Sequence, residues 1–199
     1  MITTVRKLSA SDDLSTAANL IYETDNYVFP YFFNESKALA KAILPKMMQG
    51  DTIYNLNNIY VALYEGQIIG IMVVNEAPIS ISLSAYIEAY EEAGAMIDEG
   101  FERVYKEYFL PMEQGPEGYY IPNICIDPSF RGQGIGGALL EAVLSEIDTS
   151  KDVYLDCLSD NEVALAVYEA HGFERLVEYS GFTGLKYFKM IRRANRDMI

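Results

Sequence analysis

The sequence predicts an α/β sandwich built on a mixed sheet. Three observations carry that expectation. Segments of period-two hydrophobicity alternate with segments of helical periodicity, residues 57–74 form a clear hairpin pattern, and residues 119–147 run strand, glycine-rich turn, amphipathic helix. Read in order, the elements are β, α, α, β, β, a helical insert, β, α, β, α, β, β. A chain of 199 residues is long enough for one well-cored domain, expected to span 1–199 with the insert at 79–117.

Residues 3–8 alternate enough for a first strand, and Ser11, Asp12 and Asp13 supply a cap for a helix running to Tyr22. Residues 35–48 read as a second helix, which Pro45 should bend or end early. The runs 57–64 and 67–74, joined at Glu65-Gly66, predict two antiparallel strands. In the insert, residues 84–110 carry helix formers, so one long helix or two short ones fits, with Gly94 and Gly100 as candidate breaks. The segment 114–118 punctuates the chain before a strand at 119–126, where Pro122 removes a ladder donor and predicts a bulge. A helix at 134–147, a strand at 153–158, a helix at 161–170 and a strand pair at 173–179 and 185–191 complete the pattern.

Composition excludes several classes. Half the residues are apolar, which argues against disorder. Acidic residues outnumber basic ones by 29 to 15, and a net charge of −14 disfavours nucleic acid and anionic membrane surfaces as partners. The same field would attract a cationic substrate, or simply keep the chain in solution. No apolar run reaches the roughly 18 to 20 residues of a membrane span, and the N-terminus lacks the apolar core of a signal peptide, so a cytoplasmic location is expected. Cys125 and Cys157 fall inside expected strands, which favours buried free thiols over a disulfide. With His171 as its one histidine, the chain is not expected to bind a metal.

The glycine turn carries the chemistry. Gly132, Gly134, Gly136 and Gly137 follow Arg131 between an apolar strand and a helix, and the unpaired N–H groups of a helix start favour an anion such as a phosphate. Gly132, Gly134 and Gly137 also satisfy the G-x-G-x-x-G spacing of dinucleotide-binding folds, with Asp156 about twenty residues on as an acidic partner. Against that owner, only residues 138–199 follow the turn, and the preceding chain is not a βαβ series. Read from Arg131, the pattern is Arg131-x-x-Gly134-x-Gly136, and here the chain resembles the GCN5-related N-acetyltransferases. The run 161–173 resembles that family's second signature: Asn161, Ala164 and Tyr168 share one helical face, and Gly172-Phe173 closes the helix. Taken alone, the same three residues could be a cap, a packing alanine and an interfacial tyrosine.

The resemblance implies a mixed, mostly antiparallel central sheet flanked by helices, with a helical insertion before the fourth strand. It implies acetyl-coenzyme A as cofactor. The expected contacts are the backbone of Asn123, Ile124, Cys125 and Ile126 for the pantetheine arm, and Arg131, Gly132, Gln133, Gly134, Ile135, Gly136 and Gly137 for the pyrophosphate. The face of Asn161, Ala164 and Tyr168 adds to them. Tyr168 occupies the position of the general acid. The segment 155–161 resembles the corresponding strand of the ribosomal-protein N-terminal acetyltransferases, where a glutamate stands in place of Asp156, so Asp156 is the candidate base. Tyr120 and Asn123 are further candidates for a water relay. Residues 119–124 hold no carboxylate, which keeps open a non-catalytic acyl-coenzyme A binding module.

The implied acceptor is a primary amine, on a small molecule or a peptide N-terminus. Deprotonating an alkyl amine at neutral pH costs about 4 to 5 kcal/mol, so a base is expected. Acceptor choice is expected from the aromatic run Tyr22, Tyr27, Phe29, Tyr31, Phe32 and Phe33 and from the insert, as a cation cage or as plain core. The resemblance also allows a homodimer.

Overall fold

The computed structural model describes residues 4–25, 27–181 and 184–195. Strand β1 (Thr4–Lys7) leads to helix α1 (Leu14–Tyr22), which starts where the Asp13 carboxylate accepts the Ser15 and Thr16 N–H groups, each at 3.1 Å. A one-turn helix, α2 (Phe29–Phe32), follows and was not expected, because four residues are too few to show a period. Helix α3 (Lys37–Met47) is capped by Ser36, whose hydroxyl accepts the Leu39 N–H at 3.1 Å. Pro45 does not end α3, which continues to Met47; the proline falls in the last turn, where little helix remains to disrupt.

The hairpin forms from β2 (Ile59–Tyr64) and β3 (Gln67–Ala77). Its turn residues Glu65 and Gly66 have φ of 50° and 80°, the left-handed pair that matches strand twist. The insert holds α4 (Leu83–Glu92), α5 (Glu99–Val104), a π turn (Tyr105–Phe109) and α6 (Leu110–Glu113). Gly94, at φ 72°, marks the break after α4. Gly100 does not mark one. It lies in the first turn of α5, where a Cβ would stand 2.5 Å from the Tyr31 carbonyl oxygen, so it lets α5 lie directly against α2.

The second half alternates β4 (Gly118–Ile126), α7 (Ile135–Glu146), β5 (Val153–Leu158), α8 (Glu162–Ala170), β6 (Glu174–Ser180) and β7 (Lys186–Arg192). Among the described residues the strands form one sheet in the order β1-β2-β3-β4-β5-β7-β6, and β4 with β5 is its one parallel pair. That is the mixed, mostly antiparallel sheet expected.

Each face of the sheet carries a core. On one face α1, α3 and the insert pack together, with Phe32 in edge contact with Tyr86, Tyr90 and Phe109 and tilted against Phe101. Phe29, Phe32 and Phe33 are buried there, so the core reading holds for the phenylalanines of the early aromatic run. On the other face α7 buries Leu139, Leu140 and Val143 against the sheet, and α8 adds Leu165. Cys125 and Cys157 are buried free thiols.

Candidate active site

The sheet opens between β4 and β5. The two strands pair at Tyr119↔Val153, Tyr120↔Tyr154 and Ile121↔Leu155, and beyond that point β4 stays in register with β3 alone. The change coincides with a bulge: Val73 faces Asn123 and Asn75 faces Tyr120, so Ile121 and Pro122 together oppose Val74. Pro122, which has no N–H, is tolerated at this point because the ladder is interrupted there.

The antiparallel alternation then fixes which groups face the gap. The Asp127 N–H donates to the Ile69 carbonyl at 2.9 Å, so Asn123 and Cys125 share its phase and turn their backbone toward β3. Ile124 and Ile126 turn theirs toward the opening. Of the four residues expected along the pantetheine arm, the backbone edge is therefore supplied by these two. The Asn123 side chain is buried on the α1 side, donating to Thr24 Oγ1 at 2.6 Å, with its Oδ1 unpartnered among the described residues.

At the open end lies the glycine turn. Asp127 accepts the Ser129 N–H at 2.8 Å to start a short 3-10 turn, Pro128–Phe130. Gly132 and Gly134 follow at φ 73° and 77°, and no atom lies within 4 Å of where a Cβ would stand on either. A side chain there would be strained and would fill the open concave face. The first bond of α7 runs from the Ala138 N–H to the Gly134 carbonyl at 3.0 Å, so the Ile135, Gly136 and Gly137 N–H groups precede the helical ladder, and no side chain caps them. Gly137 has a packing reason as well, since a Cβ would stand 3.1 Å from the His171 ring. Arg131 turns back along β4: its Nε donates to the Ile126 carbonyl at 2.9 Å, holding the turn to the strand end.

Where the strands part, a cavity of about 900 Å³ opens, and both Tyr168 and Asp156 line it, together with Ile124, Asn161 and Ala164. Burial holds the Tyr168 hydroxyl well above the usual tyrosine range, and the neighbouring Cys157 adds to that. The Tyr168 ring packs on Phe173 at 6.0 Å between centroids. Asp156 accepts from the Tyr120 hydroxyl at 2.7 Å, and Lys189 Nζ stands 3.5 Å from each of its oxygens. Burial first, then the Asp156 charge, keeps the Tyr120 hydroxyl protonated far above its ordinary range. This set can hold a proton at one side of a buried space and receive one at the other.

The sequence matches the model of the acetyltransferase (GNAT) family over residues 22–173. The chain belongs to this family. Among curated relatives, a 61-residue stretch is 39% identical to N-alpha-acetyltransferase RimI of Mycobacterium tuberculosis, covering 31% of this chain and 38% of that protein. A 53-residue stretch is 38% identical to the [ribosomal protein bS18]-alanine N-acetyltransferase of Escherichia coli K12, covering 26% and 36%. The chain thus spans little more than a third of the length of these two relatives. Among solved structures, an N-acetyltransferase from Staphylococcus aureus Mu50 superposes with a TM-score of 0.70 at 18% identity, covering 94% of this chain and 99% of the other. At that identity the likeness concerns the fold.

Within this GNAT chain, Asn161 serves as the cap of α8, its Oδ1 accepting the Ala164 N–H at 3.2 Å, which is the structural alternative open at the sequence level. It also lines the cavity, so the two readings coexist. Several lining residues were not singled out from sequence, and three of them are polar groups close to the chemistry. Asp25, Tyr108 and Lys189 come from the α1–α2 connection, the π turn and β7, and meet only through the tertiary fold. The one available signal was the cross-strand pairing of Asp156 with Lys189, which requires knowing that β5 neighbours β7. Among the described residues there is no cluster suited to a metal ion and no helix long and apolar enough to cross a membrane.

Proposed function

We propose that the chain transfers an acetyl group from acetyl-coenzyme A to a primary amine, of a small molecule or a peptide N-terminus, by direct attack in a ternary complex. One observation carries the reading: the open edge of β4, the Tyr168 hydroxyl and the Asp156 carboxylate border one cavity that begins where β4 and β5 separate.

The residues present fit the coenzyme. The empty faces of Gly132 and Gly134 and the uncapped N–H groups of Ile135, Gly136 and Gly137 form an anion cradle suited to the pyrophosphate. Gln133 lies within it, and Arg131 fixes its approach to β4. Ile124 and the Ile126 N–H offer backbone groups to which an extended amide chain can add as a strand would, the Ile126 carbonyl being taken by Arg131. When bound, acetyl-coenzyme A supplies the activated acyl group and a thiolate leaving group.

The chain's own groups divide the proton work. Tyr168 is protonated at neutral pH, as any tyrosine is, and burial holds its hydroxyl further above that range, so it carries a proton for the departing thiolate. Asp156 Oδ1 is buried and makes no hydrogen bond among the described residues; Lys189 Nζ is its ion-pair neighbour at 3.5 Å, and its lone pairs are the ones we assign to the ammonium that must lose a proton. Tyr120 and Lys189 hold the other carboxylate oxygen and orient it. The names of the relatives support an N-terminal amine as one acceptor class. Incubating the purified chain with acetyl-coenzyme A and a panel of amines, amino acids, aminoglycosides and peptide N-termini, with release of free thiol as readout, tests the proposal. Cofactor binding without transfer or thioester hydrolysis across that panel would instead mark a non-catalytic binding module.

A further inference from the structure

Resting on the acetyltransferase reading, we propose that the acceptor is a compact amine carrying a second cationic group, and that Asp25 holds that group while Asp156 faces the amine that reacts. Asp25 sits between α1 and α2 and lines the cavity. Its Oδ1 accepts the Tyr27 N–H at 2.7 Å and the Val28 N–H at 2.8 Å, which fixes the side chain. Its Oδ2 has no hydrogen-bond or ionic partner among the described residues.

The balance of charge around the cavity makes Asp25 the unmatched one. Among the described residues three carboxylates line the space, Asp25, Glu107 and Asp156, against one cation, Lys189. Lys189 is committed to Asp156 at 3.5 Å, and Glu107 is paired with Arg103 at 3.2 Å. Asp25 is half-buried and has two N–H donors but no cation among the described residues, and burial pushes its carboxyl above the usual range. An ammonium delivered by the ligand would supply the missing charge.

Tyr108 links the two carboxylates. It is carried by the π turn of the insert and lines the same cavity as Asp25 and Asp156, whose charges, after burial, keep its hydroxyl protonated above the ordinary range. Asp156 stands on β5 beneath the opening, and Asp25 belongs to a different wall. A short molecule with an ammonium at each end would present one charge to each wall of the cavity. The insert and the α1–α2 connection together then read the end of the acceptor that does not react.

The test compares terminal diamines of three to six carbons with n-alkyl monoamines of the same lengths, using kcat/KM for acetyl transfer. The wild-type chain is expected to favour the best diamine by roughly ten- to a hundredfold, the scale of one hydrogen bond to a charged group. Asp25→Asn keeps an oxygen for the Tyr27 and Val28 N–H groups and removes only the charge. The diamine-to-monoamine ratio should then fall to within about twofold of one, and calorimetric binding of the diamine to the coenzyme A-saturated protein should weaken in parallel. A melting curve checks that the variant folds, and the wild-type comparison does not depend on it. Equal use of diamines and monoamines by the wild type, or an unchanged ratio in Asp25→Asn, overturns the inference and leaves the acetyltransferase reading standing. Absence of transfer to every amine overturns both.

Discussion

Replacing Tyr168 by phenylalanine separates a chemical role from a structural one. The hydroxyl has no hydrogen-bond partner among the described residues, and the ring keeps its contact with Phe173 at 6.0 Å. Its removal breaks no native bond, so stability should change by no more than about 0.5 kcal/mol. For a domain of this size that is a shift of about 1 to 2 °C in Tm. Turnover should respond on another scale. Loss of a positioned general acid costs about 10²- to 10⁴-fold, which is about 2.7 to 5.4 kcal/mol of barrier. The assay is kcat from thiol release, with KM for acetyl-coenzyme A and a melting curve on the same preparation. Because burial raises the Tyr168 pKa, the proton stays on the hydroxyl through pH 9, and this group should cause no alkaline loss of wild-type kcat below that pH. A kcat within about twofold of wild type, or a loss of activity that tracks a fall in Tm, would refute the reasoning.

Other substitutions probe other links. Gly134→Ala puts a side chain at φ 77° without a steric contact, so it should cost about 1 to 2 kcal/mol of stability from backbone strain, and KM for acetyl-coenzyme A should rise as the cradle fills. Gly100→Ala drives a methyl against the Tyr31 carbonyl and should lower stability by about 1 to 3 kcal/mol, read by denaturant unfolding, without a matching change in the acetyl-coenzyme A KM. Asp156→Asn should reduce kcat by at least about tenfold with little change in KM for acetyl-coenzyme A, since an amide cannot accept the proton of the amine. Asp12 is held down to about 2 by its hydrogen bond to Arg6, 2.7 Å away. A depressed carboxylate stabilises above its unfolded pKa and loses that contribution as pH falls through the folded value. The pair is partly exposed, so Asp12→Asn should cost under about 1 kcal/mol at pH 7, and the difference should vanish between pH 4 and pH 2.

Most of the fold was legible because its signals are local. Asp13 announces a helix start, Glu65-Gly66 announces a hairpin, and Pro122 announces a bulge, each through the backbone of a few adjacent residues. The misreadings have equally physical causes. Gly100 looked like a helix break because a glycine's own conformation is visible in sequence, whereas the Tyr31 carbonyl that requires it is contributed by another segment. Pro45 looked like a terminator because its distance from the helix end was unknown.

The candidate site was legible in the same uneven way. The turn from Arg131 to Gly137 and the face of Asn161, Ala164 and Tyr168 are contiguous patterns, and they border or line the separation of β4 and β5. Which of Asn123 to Ile126 faces the gap depends on the bulge phase, and that needed the β3 register. Asp25, Tyr108 and Lys189 are distant in sequence and have no local signature. The acceptor side of the cavity is built from them, which is why the sequence spoke clearly about the donor and not about the acceptor.

The central claim is that the glycine turn and the open edge of β4 bind acetyl-coenzyme A. Its most direct test is the melting temperature with and without that ligand, with a nicotinamide dinucleotide as the control that shares the glycine spacing. At a hundredfold excess over Kd, binding adds about 2.7 kcal/mol, so Tm should rise by about 5 to 11 °C with acetyl-coenzyme A and stay unchanged with the dinucleotide. No shift with millimolar acetyl-coenzyme A, or an equal shift with the dinucleotide, would contradict the account.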